Sequence, residues 1–325
     1  MSKGPMTGKD VTRIPQKSDR MPVAPGSGER SPLQFDSRNA KRASNVVGVA
    51  SPDVVTVPPT TTIMGAIKTM IFYGFSRLPI ADPGTKRLLG FVTSVAVVDF
   101  LGGGLRHNLL AEKYGGNIYT AINADIRDIM STNLTYADDK ASLNDVLKLM
   151  YERNVGGLPI LDDDLRIKAI ITEEDFVRFC RGLDTGLDVE SFMSPNVVTA
   201  PAQTTIEKMT RMIIQKGFRR MPVVQEGVLM GMVTASDIMK YLGGGEAFQK
   251  VITGDVTEVM NQPIKSLIKR SLLATERKAD LGQAARKMMD NDIGSLPVMD
   301  RGSLAGILTE RDYVRALAEN RGILP

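Results

Sequence analysis

The chain has one cysteine, Cys180, one histidine, His107, and no tryptophan. A lone thiol excludes an intramolecular disulfide, and one thiol with one imidazole cannot build a Cys/His metal cluster. No charge-free apolar run approaches the ~20 residues that span a bilayer. The longest, from Leu88 to Val98, is short, and no charged-then-apolar signal segment occurs. These absences point to an unsecreted protein of the reducing cytoplasm with no membrane partner. Aromatic residues make up only 5%, so aliphatic side chains and methionine must fill the interior. Met70, Met150, Met212 and Met288 fall at helix-core positions, and Cys180 reads as a small core residue. A nucleophile beside a base and a P-loop Lys-Ser/Thr are also missing, which argues against an enzyme.

What is present is long enough for about two domains, with 325 residues. The net charge of +4 is unevenly placed. Residues 1–45 carry nine Lys/Arg against four Asp/Glu, or +5, which leaves −1 for the rest. This basic leader is rich in Pro, Gly and Ser and lacks apolar periodicity, so it is expected to be disordered. Its Arg13-Ile14-Pro15, Arg20-Met21-Pro22 and Arg30-Ser31-Pro32 units would hold an extended basic strand. Arg13, Lys17, Arg20, Arg30, Arg38, Lys41 and Arg42 are therefore candidate RNA or ribosome contacts, an alternative in which the folded body is a scaffold or switch.

A hydrophobic-Pro-hydrophobic signature recurs at Leu78-Pro79-Ile80, Leu158-Pro159-Ile160, Met221-Pro222-Val223 and Leu296-Pro297-Val298. The first and third copies share more. Ser51 to Pro58 matches Ser194 to Pro201, and both copies later run into Leu-Gly-Gly-Gly, at Leu101 to Gly104 and Leu242 to Gly245. The second and fourth share Asp175-Phe176-Val177-Arg178 and Asp312-Tyr313-Val314-Arg315. A two-repeat module has thus been duplicated, with repeats at 46–105, 126–183, 190–245 and 256–321.

Periodicity orders the elements of each repeat. The β-branched runs Val54 to Val57 and Val197 to Thr199 read as short strands closed by proline. Leu143, Val146, Leu147 and Met150, like Leu281, Ala284, Ala285 and Met288, mark one face of a helix. Ser142 with Asp145, and Thr204 with Glu207, look like capping boxes. A strand pair then leads into a second helix near Thr93, Thr172, Thr234 and Thr309, which gives β-α-β-β-α. The Leu-Gly-Gly-Gly segments follow a helix, so they read as helix stops and hinges. His107, in the polar stretch after the first of them, reads as an exposed residue.

A β-α-β-β-α unit with a hydrophobic-Pro-hydrophobic strand and a closing Thr-x-x-Asp resembles the CBS (cystathionine-β-synthase) domain. Four of them in two tandem pairs resemble the regulatory γ subunit of the AMP-activated protein kinase. The resemblance covers roughly residues 46–321 and implies an α/β (α+β) fold of paired repeats packed as two modules in a disk-like body. It further implies a non-catalytic regulator that binds AMP, ADP or ATP, with S-adenosylmethionine as the lesser alternative, and that controls a protein partner according to energy state. Association into a homodimer is compatible with it.

The resemblance also implies ligand-binding residues at open clefts, with the hydroxyl of Thr-x-x-Asp facing phosphate and the carboxylate accepting the ribose hydroxyls. These are Thr172/Asp175, Thr234/Asp237 and Thr309/Asp312; the first repeat has Ala96 where the carboxylate would be, so its site should be weak or empty. Partner repeats would bring Thr56, Ser76 and Arg77 toward Thr172/Asp175, and Thr199, Arg219 and Arg220 toward Thr309/Asp312. Independently of the resemblance, a hydroxyl at a helix entrance lies beside unpaired N–H groups and the positive end of the helix dipole, which suits phosphate, and arginine pairs with phosphate in bidentate fashion.

Overall fold

The computed structural model describes residues 46–102, 104–253, 256–268 and 272–319. The basic leader, with Arg13, Lys17, Arg20, Arg30, Arg38, Lys41 and Arg42, lies outside the described residues.

In the first repeat, Thr62 caps α1 (Ile63–Tyr73) by accepting a hydrogen bond from the Gly65 N–H. Ile63, Ala66, Ile67 and Met70 form its buried face, and Gly74 stops it with φ 73°. Next come β1 (Arg77–Ala81), β2 (Leu88–Thr93) and α2 (Ser94–Leu101), and then the connecting helices α3 (Asn108–Tyr114) and α4 (Ile118–Ile122). The second repeat is β3 (Ala137–Asp138), α5 (Leu143–Glu152), β4 (Gly157–Leu161), β5 (Ile167–Thr172) and α6 (Glu173–Cys180). A short α7 (Val189–Phe192) leads to the third repeat, α8 (Ile206–Lys216), β6 (Arg220–Gln225), β7 (Val228–Thr234) and α9 (Ala235–Leu242). After α10 (Gly245–Thr253) and α11 (Val256–Met260), the fourth repeat consists of β8 (Thr275–Glu276), α12 (Leu281–Asp290), β9 (Ser295–Asp300), β10 (Ser303–Thr309) and α13 (Glu310–Glu319).

The helical faces read from periodicity are buried in α5 and α12, and Ser142 with Asp145 forms the capping box. Two local expectations need correction. The first strand of repeats one and three shrinks to a single parallel bridge, Val57 to Ile80 and Ala200 to Val223. Pro58 and Pro201 follow immediately and have no N–H with which to continue a ladder. The cap of α8 is Thr205, which accepts from the Lys208 N–H at 3.2 Å, rather than Thr204. Glu207 is thereby free to pair with Arg211 at 2.7 Å.

The apolar cores do not follow the tandem order. One buried cluster joins repeats one and three, through residues such as Ile67, Met70 and Val97 with Met209, Ile213 and Ile238. The other joins repeats two and four, through Val146, Met150 and Phe176 with Leu281, Met288 and Tyr313. Tandem neighbours meet instead through backbone bridges, Ser51 to Ile170 and Phe91 to Ser131 in one pair and Ser194 to Ile307 in the other. Neither tandem pair owns a complete core.

This arrangement changes the reading of the Leu-Gly-Gly-Gly segments. A Cβ on Gly102 would lie 2.5 Å from Thr210 Cγ2, and one on Gly243 would lie 2.8 Å from Ile67 Cγ2. These glycines are points of close packing between repeats one and three, not hinges. His107 is also half-buried, with Nδ1 3.0 Å from the Phe100 carbonyl oxygen. Cys180 is buried as expected, and burial pushes its thiol up to about 12.

Candidate functional site

Strand register determines where the functional side chains gather. In each repeat the residue that opens the hydrophobic-Pro-hydrophobic strand faces the threonine that caps the next helix: Arg77 opposite Thr93, Gly157 opposite Thr172, Arg220 opposite Thr234 and Ser295 opposite Thr309. Strand starts and helix N-termini therefore share one end of every sheet.

At that end Thr172/Asp175 and Thr234/Asp237 form reciprocal capping boxes, and in all three Thr-x-x-Asp motifs the aspartate accepts from the threonine. Asp175 Oδ2 accepts from the Thr172 N–H at 2.8 Å and hydroxyl at 3.1 Å. Asp237 Oδ2 accepts from Thr234 at 3.0 and 2.7 Å, and Asp312 Oδ2 from Thr309 at 2.7 and 2.9 Å. The carboxylates were expected at open clefts, but all three are buried, at 6%, 8% and 6% exposure. The reason is that one oxygen is needed for the cap while the helix packs across the repeats. The second oxygen faces Arg178 at 3.0 Å in Asp175 and Arg315 at 3.5 Å in Asp312. Burial pushes the Asp312 carboxyl up, against the bonds from Thr309. In the first repeat Thr93 accepts only from the Ala96 N–H.

The arginines reach across the tandem pairs. Arg77 Nη1 donates to the Gly157 carbonyl at 3.1 Å, beside Thr172, as the sequence reading placed it. Arg220 donates to Glu310 at 3.1 Å, at the start of the helix that Thr309 leads into. Glycine is required at both crossings: a Cβ on Gly156 would lie 2.7 Å from Arg77 Nη2, and one on Gly294 would lie 2.6 Å from Arg220 Nη1. Arg219 behaves differently from Arg220. Its guanidinium bonds Glu173, in the other tandem pair. Thr56 and Thr199 are half-buried, each just before its repeat's bridging residue, Val57 or Ala200.

Three participants were missed from sequence: Glu173, Glu310 and Arg311. Glu173 is 1% exposed and accepts from both Arg219 and Arg311, the latter at 2.9 Å. Burial alone would raise its carboxyl; Arg219 and Arg311 overcome this and hold it below the ordinary 4.5. Arg77 makes no hydrogen bond to a carboxylate among the described residues, and burial, with Arg219 nearby, outweighs the pull of Glu173 and Glu310 and lowers it to about 10. Arg77, Arg219, Arg220 and Arg311 thus gather about Glu173 and Glu310, with Glu174 and Asp292 beside Glu310. The available signal in the sequence is that a glutamate follows the threonine in the second and fourth motifs, a position where acidic residues commonly serve the helix dipole.

The CBS domain model matches residues 46–103, 126–182, 189–244 and 256–319. An uncharacterized protein of Methanocaldococcus jannaschii is 36% identical over 267 residues, which cover 82% of this chain and 95% of its own. Its crystal structure, described as that of a candidate archaeal homolog of g-AMPK, superposes with a TM-score of 0.80 at 35% identity, covering 84% and 99%. An uncharacterized 33.4 kDa protein from the ribosomal RNA operon of Thermofilum pendens is 26% identical over 272 residues, covering 84% and 90%. The structure of an uncharacterized conserved protein of Pyrococcus horikoshii shares the fold, with a TM-score of 0.55 at 18% identity and coverage of 84% and 99%.

Proposed function

Because the chain belongs to the CBS domain family, we propose that it is a non-catalytic, cytoplasmic regulator that binds AMP, ADP or ATP at Thr172/Asp175, Thr234/Asp237 and Thr309/Asp312. The observation that carries this reading is the gathering of guanidiniums at helix N-termini: Arg219 and Arg311 on Glu173, Arg220 on Glu310, and Arg77 nearby with its hydrogen bond to a backbone carbonyl. A half-buried guanidinium with no hydrogen-bonded carboxylate, such as Arg77, favours an anion, and phosphate suits both the guanidinium fork and the positive end of a helix dipole. The M. jannaschii structure described as a candidate g-AMPK homolog supports the same reading.

In this account the phosphates meet Arg77 or Arg220 and the threonine hydroxyl, beside Thr56 or Thr199. The ribose diol takes the second oxygen of Asp175 or Asp312 in competition with Arg178 or Arg315. The first repeat, with Ala96 in place of the carboxylate, is a weak or empty site. A ligand bonded to two repeats favours the arrangement that closes on it and so alters the surface offered to a protein partner. No helix of the described residues is long and apolar enough to cross a membrane.

The test is thermal unfolding against a nucleotide panel. Ligand at about one hundred times Kd stabilises by about 2.7 kcal/mol per site, so the melting temperature should rise with an adenine nucleotide. Asp175→Ala and Asp312→Ala should each reduce the rise, and Ala96→Gly should leave it intact. No rise with AMP, ADP, ATP or S-adenosylmethionine would refute the reading.

A further inference from the structure

The sites at the second and fourth repeats occupy equivalent places, yet their charges differ. Arg77 corresponds to Arg220, and Glu173 to Glu310, by their places around the signature proline and the capping threonine. The equivalence fails at two positions. Arg219 stands where the first pair has Ser76, and Arg311 stands where the second repeat has Glu174.

Both differences favour the second repeat. Arg219 and Arg311 hydrogen-bond Glu173. Arg77 lies at the same spot, since a Cβ on Gly156 would be 2.7 Å from Arg77 Nη2 and 2.9 Å from Glu173 Oε2. Three guanidiniums, from repeats one, three and four, thus converge on one carboxylate at the entrance of α6. At the entrance of α13, Glu310 has Arg220 as its hydrogen-bonded partner. Near it lie Glu174, itself bonded to Arg178 at 2.6 Å, and the loop residue Asp292, both lining a cleft of about 50 Å³ together with Glu310.

We infer that the Thr172/Asp175 site selects nucleoside polyphosphates over monophosphates, whereas the Thr309/Asp312 site does not discriminate. The inference rests on the nucleotide reading above and deepens it. A ligand that displaces Glu173 must satisfy Arg219 and Arg311 while also meeting Arg77. Arg77 Nη1 is held by the Gly157 carbonyl and Arg311 Nη2 by Asn154, so each arginine offers its remaining N–H groups from a separate repeat, and one phosphoryl group, with about two negative charges, leaves three guanidiniums under-neutralised. Further phosphoryl groups add negative charge and spread acceptor oxygens toward all three. Displacing Glu310 frees one hydrogen-bonded guanidinium, Arg220, which a single phosphoryl group satisfies, and the neighbouring carboxylates Glu174 and Asp292 repel further negative charge.

The test is calorimetric titration of the full chain with ATP and with AMP. In the Asp237→Ala/Asp312→Ala variant, where Thr172/Asp175 is the one intact motif, ATP should bind roughly 10-fold or more tightly than AMP, the scale of one charged hydrogen bond. In the Asp175→Ala/Asp237→Ala variant the two affinities should agree within about threefold. Two further substitutions in the first background should move ATP affinity in opposite directions. Arg311→Gln should weaken ATP and leave AMP nearly unchanged; Glu173→Gln, which removes the internal competitor, should tighten ATP. Because the signs are opposite, general loss of folding cannot mimic the pattern. Equal ATP/AMP ratios at the two sites, or loss of all binding at the Thr172/Asp175 site in a chain whose unsubstituted form binds nucleotide, would overturn the inference alone. No binding of either nucleotide to the unsubstituted chain would overturn the nucleotide reading as well.

Discussion

Gly102 packs against Thr210 so closely that a methyl group on Gly102 would stand 2.5 Å from Thr210 Cγ2. The contact joins the end of α2 in the first repeat to α8 in the third, and Gly243 makes the corresponding approach to Ile67. Gly102→Ala or Gly243→Ala should therefore destabilise the protein by about 1–3 kcal/mol through overpacking. Urea unfolding checks this; an unchanged or raised midpoint would restore the hinge interpretation.

The shared cores lead to a second expectation. A fragment of residues 46–188 exposes the faces of α1 and α5 that repeats three and four cover in the whole chain. Exposed apolar faces of that extent drive association, so the fragment should self-associate or aggregate. Light scattering that shows a stable, cooperatively folding monomer would contradict the cross-module packing.

Glu173 yields a pH dependence with a definite sign. Its folded pKa is depressed below 4.5, so its contribution to stability is fully present above that pH and is lost as pH falls through the folded value. Near neutral pH Glu173→Gln should cost about 1–3 kcal/mol, less than breaking a fully buried pair, because Arg219 and Arg311 are 33% and 26% exposed. The gap between the two proteins should narrow below about pH 4.5. Unfolding free energies from denaturant titrations across that range decide it, and a gap that widens in acid would reverse the assignment.

Asp312 serves as a cap in the structure and as a ribose acceptor in the proposal, and two substitutions separate these roles. Asp312→Asn keeps an oxygen for the Thr309 N–H and should retain most of the stability, yet its amide has no second acceptor oxygen for a diol. Asp312→Ala loses the cap as well, at a cost of about 1 kcal/mol. Nucleotide-induced stabilisation should fall in both variants, and basal stability only in the second. If Asp312→Asn responds to nucleotide like the unsubstituted chain, the carboxylate is a cap and nothing more.

These residues also show how far a single chain can be read. The Ser142/Asp145 cap, the helical faces around Met150 and Met288, and the repeat order were legible because each depends on neighbours within a few positions. Thr204 and Thr205 offer two adjacent hydroxyls, and only the geometry of α8 decides between them. The first strands failed because a β-branched run becomes a strand only where a partner's ladder continues. Glu173 and Arg311, 138 positions apart, meet only because repeats two and four share a core. No local pattern encodes that meeting. Arg77 could be placed from the pairing of tandem repeats, whereas Arg219 could not, since its partner lies in the other pair.

The most direct test is a crystal structure of the full chain grown with ATP. A ribose should be hydrogen-bonded to Asp175, phosphates should contact Arg77, Arg219 and Arg311, and Glu173 should be turned away from Arg219 and Arg311. Nucleotide bound only elsewhere, for example in the cleft of about 290 Å³ lined by Gly182, Asp280 and Arg286, with the Glu173 pairs undisturbed, would contradict it.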